Sequence, residues 1–263
     1  GLLAMIYVLL DSPVAVKILL QPQDPIAQRR FLEEAKMASL VHHPNTVYIA
    51  DFGLLSDGRT YLVMELLSGP TLAKVISQGA IEPLRACQIA QGIATGLQAV
   101  HDQGIIHRDL KPENVFLLEQ DGKKDNVKIV DFGIAKATSE APVVRKRHSQ
   151  EDISQVTEQK ISSQTMPGTL MGTPAYLAPE MALGQEVDFR VDQYALGVIL
   201  FEMLTGDLPF EATTIGQMLQ HHISTKPPLL SRKISDSSPT LDALVARLLS
   251  KKPVERFPSM RAV

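Results

Sequence analysis

Apolar residues come in short bursts at the start of the chain and at helical spacing further on. Residues 1–10, Gly-Leu-Leu-Ala-Met-Ile-Tyr-Val-Leu-Leu, form an apolar run that predicts a strand. Val14-Ala15-Val16-Lys17-Ile18-Leu19-Leu20 is rich in β-branched residues and predicts another, and Tyr61-Leu62-Val63-Met64-Glu65 a third short buried one. Between them, Phe31, Leu32, Ala35, Ala38 and Leu40 recur at helical spacing, which predicts a helix over 27–40 that ends before His43-Pro44. One helix on a small sheet is therefore expected in the first quarter.

From Thr71 the pattern is helical. Ile89, Ile93, Leu97 and Val100 line one face of a segment over 83–101 that Gly104 should stop. Residues 191–204 are apolar almost throughout after the first turn and end at Gly206, as in a helix buried on all sides. Residues 137–168 are rich in Ser, Thr, Gln and charge and include Arg145-Lys146-Arg147. They bury too little apolar surface to order themselves and are expected to form a long flexible loop. There is no internal repeat.

Composition narrows the class without naming a partner. With 263 residues, 44% of them apolar, the chain can build a sizeable core. Twenty-six Lys and Arg nearly balance 29 Asp and Glu, so no strong field favours nucleic acid or an anionic membrane. The lone Cys87 can form neither an internal disulfide nor a thiolate cluster and is expected to be a small buried hydrophobe. The apolar start lacks a basic leader and is much shorter than a membrane span of about 20 residues. A cytoplasmic location is expected, with an anchor outside this segment left open.

The chemistry sits in four motifs that occur in a fixed order. Val14-Ala15-Val16-Lys17 comes first. His107-Arg108-Asp109-Leu110-Lys111-Pro112-Glu113-Asn114 is next, then Asp131-Phe132-Gly133 after a short strand over 127–130, and last Ala178-Pro179-Glu180. A lone Asp-Phe-Gly means little; a second one, Asp51-Phe52-Gly53, has no loop of that kind before it and reads as strand and turn. The ordered set resembles the protein kinase family over essentially the whole chain, and its wording is most similar to bacterial serine/threonine kinases.

That resemblance implies an α+β, two-lobed fold. An N-terminal antiparallel sheet with one helix (1–66) would sit on a larger helical lobe (67–263), with ATP between them. It implies transfer of the γ-phosphoryl group of ATP, carried with Mg2+ or with Mn2+ in its place, to Ser or Thr hydroxyls of proteins. Self-phosphorylation in trans is also expected. Asp109 would act as catalytic base and Lys111 would meet the γ-phosphate, a lysine there being the serine/threonine-type signature. Asn114 and Asp131 would be metal ligands, since both offer the hard oxygen donors that magnesium prefers.

Lys17 lies among apolar strand neighbours, where an unpaired ammonium is costly. The resemblance gives it the α/β-phosphates and Glu34 as partners, with the adjacent Glu33 as the other candidate. Met64 would be the gatekeeper and Glu65-Leu66-Leu67 the hinge for adenine. Ala15, Ile6 and Phe116 would contact the ring faces, or else be plain core. In Gly172-Thr173-Pro174-Ala175-Tyr176-Leu177, Thr173 would dock the substrate and bond Asp109 and Lys111. Glu180 would pair with Arg256 in a buried ion pair, and Asp192 would cap the catalytic-loop backbone. Arg108 marks control by a loop phosphate, expected at Thr169 first and Thr165 second, the other reading being that both are ordinary loop hydroxyls.

The glycine-rich loop departs from the family pattern. Counting back from Ile6-Tyr7, Gly1 falls on the second glycine, Ala4 replaces the third, and the first would precede the chain. The turn around Asp11-Ser12-Pro13 is short, and the far end is expected to be clipped before a last helix. A kinase, a nucleotide-binding pseudokinase and, less favoured, a small-molecule phosphotransferase therefore stand as the alternatives, and the intact Lys17, Asp109, Asn114 and Asp131 favour the first.

Overall fold

The computed structural model describes residues 2–9, 12–19, 25–120, 122–132, 174–234 and 237–263. Two strands, β1 (Leu2–Leu9) and β2 (Ser12–Leu19), pair antiparallel, and β3 (Ile49–Leu54) and β4 (Thr60–Glu65) complete a four-stranded sheet of order β1-β2-β4-β3. Ser12 and Pro13, expected in a turn, belong to β2, Pro13 opposite Val8. The period-2 alternation on β2 decides its two faces. Val14, Val16 and Ile18 are buried with Val63 of β4, while Ala15 and Lys17 point to the other side. Helix α1 (Pro25–Ser39) lies against β3 and β4 and buries Phe31, Ala35 and Ala38, one face at i, i+4, i+7. Asp51-Phe52-Gly53 is strand, not turn, since it falls within β3.

The second lobe is built around a helix with no exposed side. After the short α2 (Leu72–Ile76) come α3 (Pro83–Asp102), the hairpin β5 (Val115–Gln120) and β6 (Lys123–Ile129), and α4 (Pro179–Ala182). Then follow α5 (Arg190–Thr205), α6 (Ile215–Ser224) and α7 (Pro239–Leu248). Helix α5 buries every residue from 191 to 201, and α3 and α7 pack against it. It ends where Gly206 turns left-handed at φ 77°, as its sequence predicts. Residues 137–168, expected to be a loop, lie outside the described residues. Cys87 corrects the expectation of full burial: it is only partly covered, one turn along the exposed flank of α3, and burial together with Glu82 holds its thiol above the usual range.

Helix α7 approaches α5 so closely at Gly197 that a Cβ there would stand 2.7 Å from the Cβ of Leu248. Alanine is the better helix former by about 1 kcal/mol, but overpacking a fitted core costs about 1–3 kcal/mol. Gly197→Ala is therefore expected to lower stability by about 1 kcal/mol. A urea midpoint that rose instead would show that the two helices can slide apart freely.

Candidate active site

The loop between α3 and β5 carries the first cluster of functional side chains, and its shape is imposed from below. Gly104, at φ 73°, lets the chain leave α3. Four residues on, Arg108 adopts φ 60°, a left-handed conformation that side chains disfavour, at a cost on the order of 1 kcal/mol. Asp192, on the buried α5 and 1% exposed, holds it there. Its Oδ2 accepts from the His107 backbone N–H and its Oδ1 from that of Arg108, both at 2.9 Å. The expected cap by Asp192 is thus present. A further partner, not expected from the sequence, is His101 of α3, whose Nε2 lies 2.7 Å from Oδ2.

His107 is the pivot of the loop. Burial pushes its imidazole below the usual range, so the ring is neutral. Nδ1 accepts from the Asp109 backbone N–H at 3.3 Å, which assigns the proton to Nε2; Nε2 then donates to the Val130 carbonyl at 3.0 Å. Phe132 packs its edge on the same ring, with centroids 5.7 Å apart. One neutral imidazole therefore joins the Asp109 loop to the strand end that presents Asp131.

Asp109 and Lys111 point into the same space, with Lys111 Nζ 3.1 Å from Asp109 Oδ2. Asn114 closes the loop: its Nδ2 donates to the Asp109 carbonyl at 2.9 Å. The Asn114 carbonyl accepts from Val130 N–H at 2.9 Å. Asp131, also left-handed at φ 61°, receives Lys17 Nζ on Oδ1 at 2.6 Å. Lys17 is 16% exposed and Asp131 34%, so the pair spans the cleft between the sheet and the helical lobe. The Lys17–Asp131 pair and the Asp109–Lys111–Asn114 cluster are thereby linked through the Val130 backbone and the His107 ring.

The wall of the cleft follows from sheet register. Ile6 pairs with Ala15 and Ala15 with Met64, so these three positions form one row across β1, β2 and β4. Ala4, in place of a glycine, sits in β1 opposite Lys17. Glu65 ends β4, Leu67 and Phe116 are partly buried against the main core, and Phe116 bridges to Thr71. Lys17 thus finds Asp131; the side chains of Glu34 and Ile6, and Thr165, Thr169 and Thr173 as a whole, lie outside the described residues.

Behind the site, Arg256 meets Glu180 in the expected buried pair. Nη1 and Nη2 reach Oε1 and Oε2 at 2.6 and 2.8 Å, with the two residues 2% and 3% exposed. Arg256 also donates to the carbonyls of Arg190 and Ser250 at 2.8 and 2.9 Å, so the start of α5, the chain segment that follows α7, and α4 share one guanidinium. Tyr176 donates to Glu202 at 2.7 Å, and burial keeps that carboxyl above its usual range.

Lys128 of β6 is the site neighbour that sequence reasoning passed over. Its Nζ lies 2.6 Å from Glu65 Oε1. The signal was the one used for Lys17: a cation among apolar strand neighbours, here Val127 and Ile129. No group of three or more His, Cys, Asp or Glu side chains suited to a metal occurs among the described residues. None of their helices is long and apolar enough to cross a membrane.

Comparison with known proteins agrees with this geometry. The family model described as "Protein kinase domain" matches residues 8–263. The serine/threonine-protein kinase pkn3 of Myxococcus xanthus is 36% identical over 96% of this chain and 44% of its own length. PknB of Mycolicibacterium smegmatis is 35% identical over 94% of this chain and 37% of its own length. The chain spans less than half the length of these curated relatives. Among solved structures, Rad53 1-466 in complex with AMP-PNP is similar at a TM-score of 0.71 and 26% identity, covering 96% of this chain and 57% of that one. With its fold, its catalytic-loop geometry and its sequence all in agreement, the chain belongs to the protein kinase family.

Proposed function

We propose that this domain transfers the γ-phosphoryl group of ATP to Ser or Thr hydroxyls of protein substrates. The observation that carries the proposal is the pairing of Lys17 with Asp131 across the cleft from the Asn114–Asp109–Lys111 cluster, the two being tied by the Val130 backbone and the His107 ring. Phosphoryl transfer asks the protein for positioning and charge more than for covalent chemistry, and these five residues supply both. The Asp109 carboxylate is placed to accept a hydrogen bond from an incoming hydroxyl and orient its lone pair. Lys111 and Lys17 bring positive charge to phosphate oxygens, Lys17 with Glu34 as its second partner. The relatives' names point to Ser and Thr as acceptors, as does Lys111.

The donors suit a magnesium ion. The Asn114 amide is fixed by the bond from its own Nδ2 to the loop backbone, and Asp131 adds a carboxylate one residue after Val130, whose N–H donates to the Asn114 carbonyl. Both are hard oxygen ligands, and too few to make a closed all-protein cage, which fits an ion that keeps water and phosphate oxygens. When bound, Mg2+ would neutralise the phosphate charge; Mn2+ has the same ligand preference. Adenine would lie on the row formed by Ile6, Ala15 and Met64, against the backbone of Glu65 and Leu67, with Phe116 below. Thr173 would dock the substrate. Thr169, with Thr165 second, is the proposed site of an activating phosphate, with Arg108 as its anion partner.

The test is incorporation of label from γ-labelled ATP and Mg2+ into a generic basic protein and into the domain itself, followed by phosphoamino-acid analysis and mass spectrometry. Phosphoserine and phosphothreonine are expected, with self-incorporated phosphate at Thr169. Phosphotyrosine alone, or no incorporation above a boiled control, would overturn the proposal.

A further inference from the structure

The sheet is joined to the helical lobe through two chain segments that meet at one point. The first is 45–48, which leads into β3. It is laced to β6 of the helical lobe: Asn45 Nδ2 donates to the Val127 carbonyl, Ile129 N–H to the Asn45 carbonyl, and Val47 N–H to the Ile129 carbonyl, each at 2.9 Å. These residues therefore move with the helical lobe. The second is the segment that leaves β4 after Glu65. Tyr48 and Glu65 face each other where both segments reach the sheet. Glu65 N–H donates to the Tyr48 carbonyl at 3.0 Å, and Tyr48 N–H donates to Glu65 Oε1 at 2.7 Å. Any rotation of the sheet over the helical lobe has to turn about this pair.

Lys128 pins that pivot from the other side. Its Nζ donates to Glu65 Oε1 at 2.6 Å and to the Thr46 carbonyl at 3.1 Å, so one ammonium grips both segments at once. The lysine is 14% exposed and the glutamate 30%, enough shielding for the pair to resist screening better than an open surface pair. Lys128 lies on β6 three residues before Asp131, which follows the end of that strand, so its grip is transmitted to the floor of the cleft.

We propose that Lys128 and the Glu65 carboxylate are positioning residues that set how readily the cleft opens, and so how long nucleotide stays bound. The inference rests on the reading of the cleft as a nucleotide site. Where release of product limits turnover, such a pin trades residence time against rate.

The experiment measures the dissociation rate of a fluorescent ADP analogue, chased with excess ADP and Mg2+, together with the KM for ATP and the thermal midpoint without nucleotide. Glu65→Gln and Lys128→Met are each expected to raise the dissociation rate at least about threefold, equivalent to about 0.7 kcal/mol at the pivot. The KM for ATP should rise with it, and the double variant should go no further than the single ones, because both remove the same contact. Lys128→Arg, which keeps the charge, should dissociate nucleotide at close to the original rate. Unchanged dissociation in Glu65→Gln, or a fall in kcat at constant KM that tracks a lower thermal midpoint, would overturn the inference. If Lys128→Met does not fold, Glu65→Gln decides alone, since it is isosteric and retains an acceptor for Tyr48 N–H. A protein that binds no nucleotide before any substitution overturns the kinase reading itself, which is a different result from normal binding with unaltered release.

Discussion

Replacing Asp109 by asparagine is expected to lower phosphoryl transfer about a thousandfold, within the range of about 10²–10⁴ that a positioned proton acceptor contributes. The amide has the shape of the carboxylate but cannot take a proton from the attacking hydroxyl, and it removes the anion that Lys111 Nζ meets at 3.1 Å. The fold should be untouched. The loop around Asp109 is held by backbone bonds to Asp192 and His107, none of which uses the Asp109 carboxylate. Nucleotide affinity should accordingly stay within about threefold, since Lys17 and Asp131 are unaltered. The check is single-turnover transfer beside equilibrium binding of an ATP analogue. Turnover within tenfold of the unmodified protein would remove Asp109 from the role of base.

Arg256→Met should have the largest effect on stability. Breaking a buried ion pair from one side costs about 3–5 kcal/mol, because the remaining charge stays out of water without a partner. Here the stranded group is Glu180, 3% exposed, and the loss also frees the carbonyls of Arg190 and Ser250. Domains of this kind have about 5–15 kcal/mol to lose in all, so Arg256→Met approaches unfolding at ordinary temperature. Adding Glu180→Gln should recover part of the loss by removing the buried charge. A denaturant series on the single and double variants reads this directly. A double variant less stable than Arg256→Met would mean that the charge on Glu180 is not what makes the single substitution costly.

The candidate site was legible in sequence because the proposed chemistry demands particular side chains in a particular order. Phosphoryl transfer would call for a base, an amide and a carboxylate for a metal ion, and a strand lysine, and those residue types stand at the motif positions. The sheet and the main helices were legible for a simpler reason: Val14, Val16 and Ile18 alternate, and the α5 stretch is apolar throughout. The start of β6, Lys123-Lys124-Asp125-Asn126, was not legible, since a two-stranded hairpin with an open face leaves no hydrophobic alternation to find. Nor was the choice of partners. The apolar neighbours of Lys17 called for a partner, and the resemblance offered phosphates and Glu34, but not Asp131, 114 residues away; the partners of Lys128 and His101 lie 63 and 91 residues away. Cys87 misled for a related reason: its residue type favours burial, but its place on the helix circumference left it partly open.

The single carboxylate of Asp192 also has a kinetic consequence. It is 85 residues from His107 along the chain, and its Oδ1 accepts from the backbone N–H of the left-handed Arg108. Contacts of such separation form only after the intervening chain has closed, and they slow folding accordingly. The catalytic loop can therefore take its working shape only once α5 is seated in the core. A partly folded chain, newly synthesised or partly denatured, could hold a formed sheet and still be inert, so catalytic competence would arrive among the last events of folding and be lost among the first.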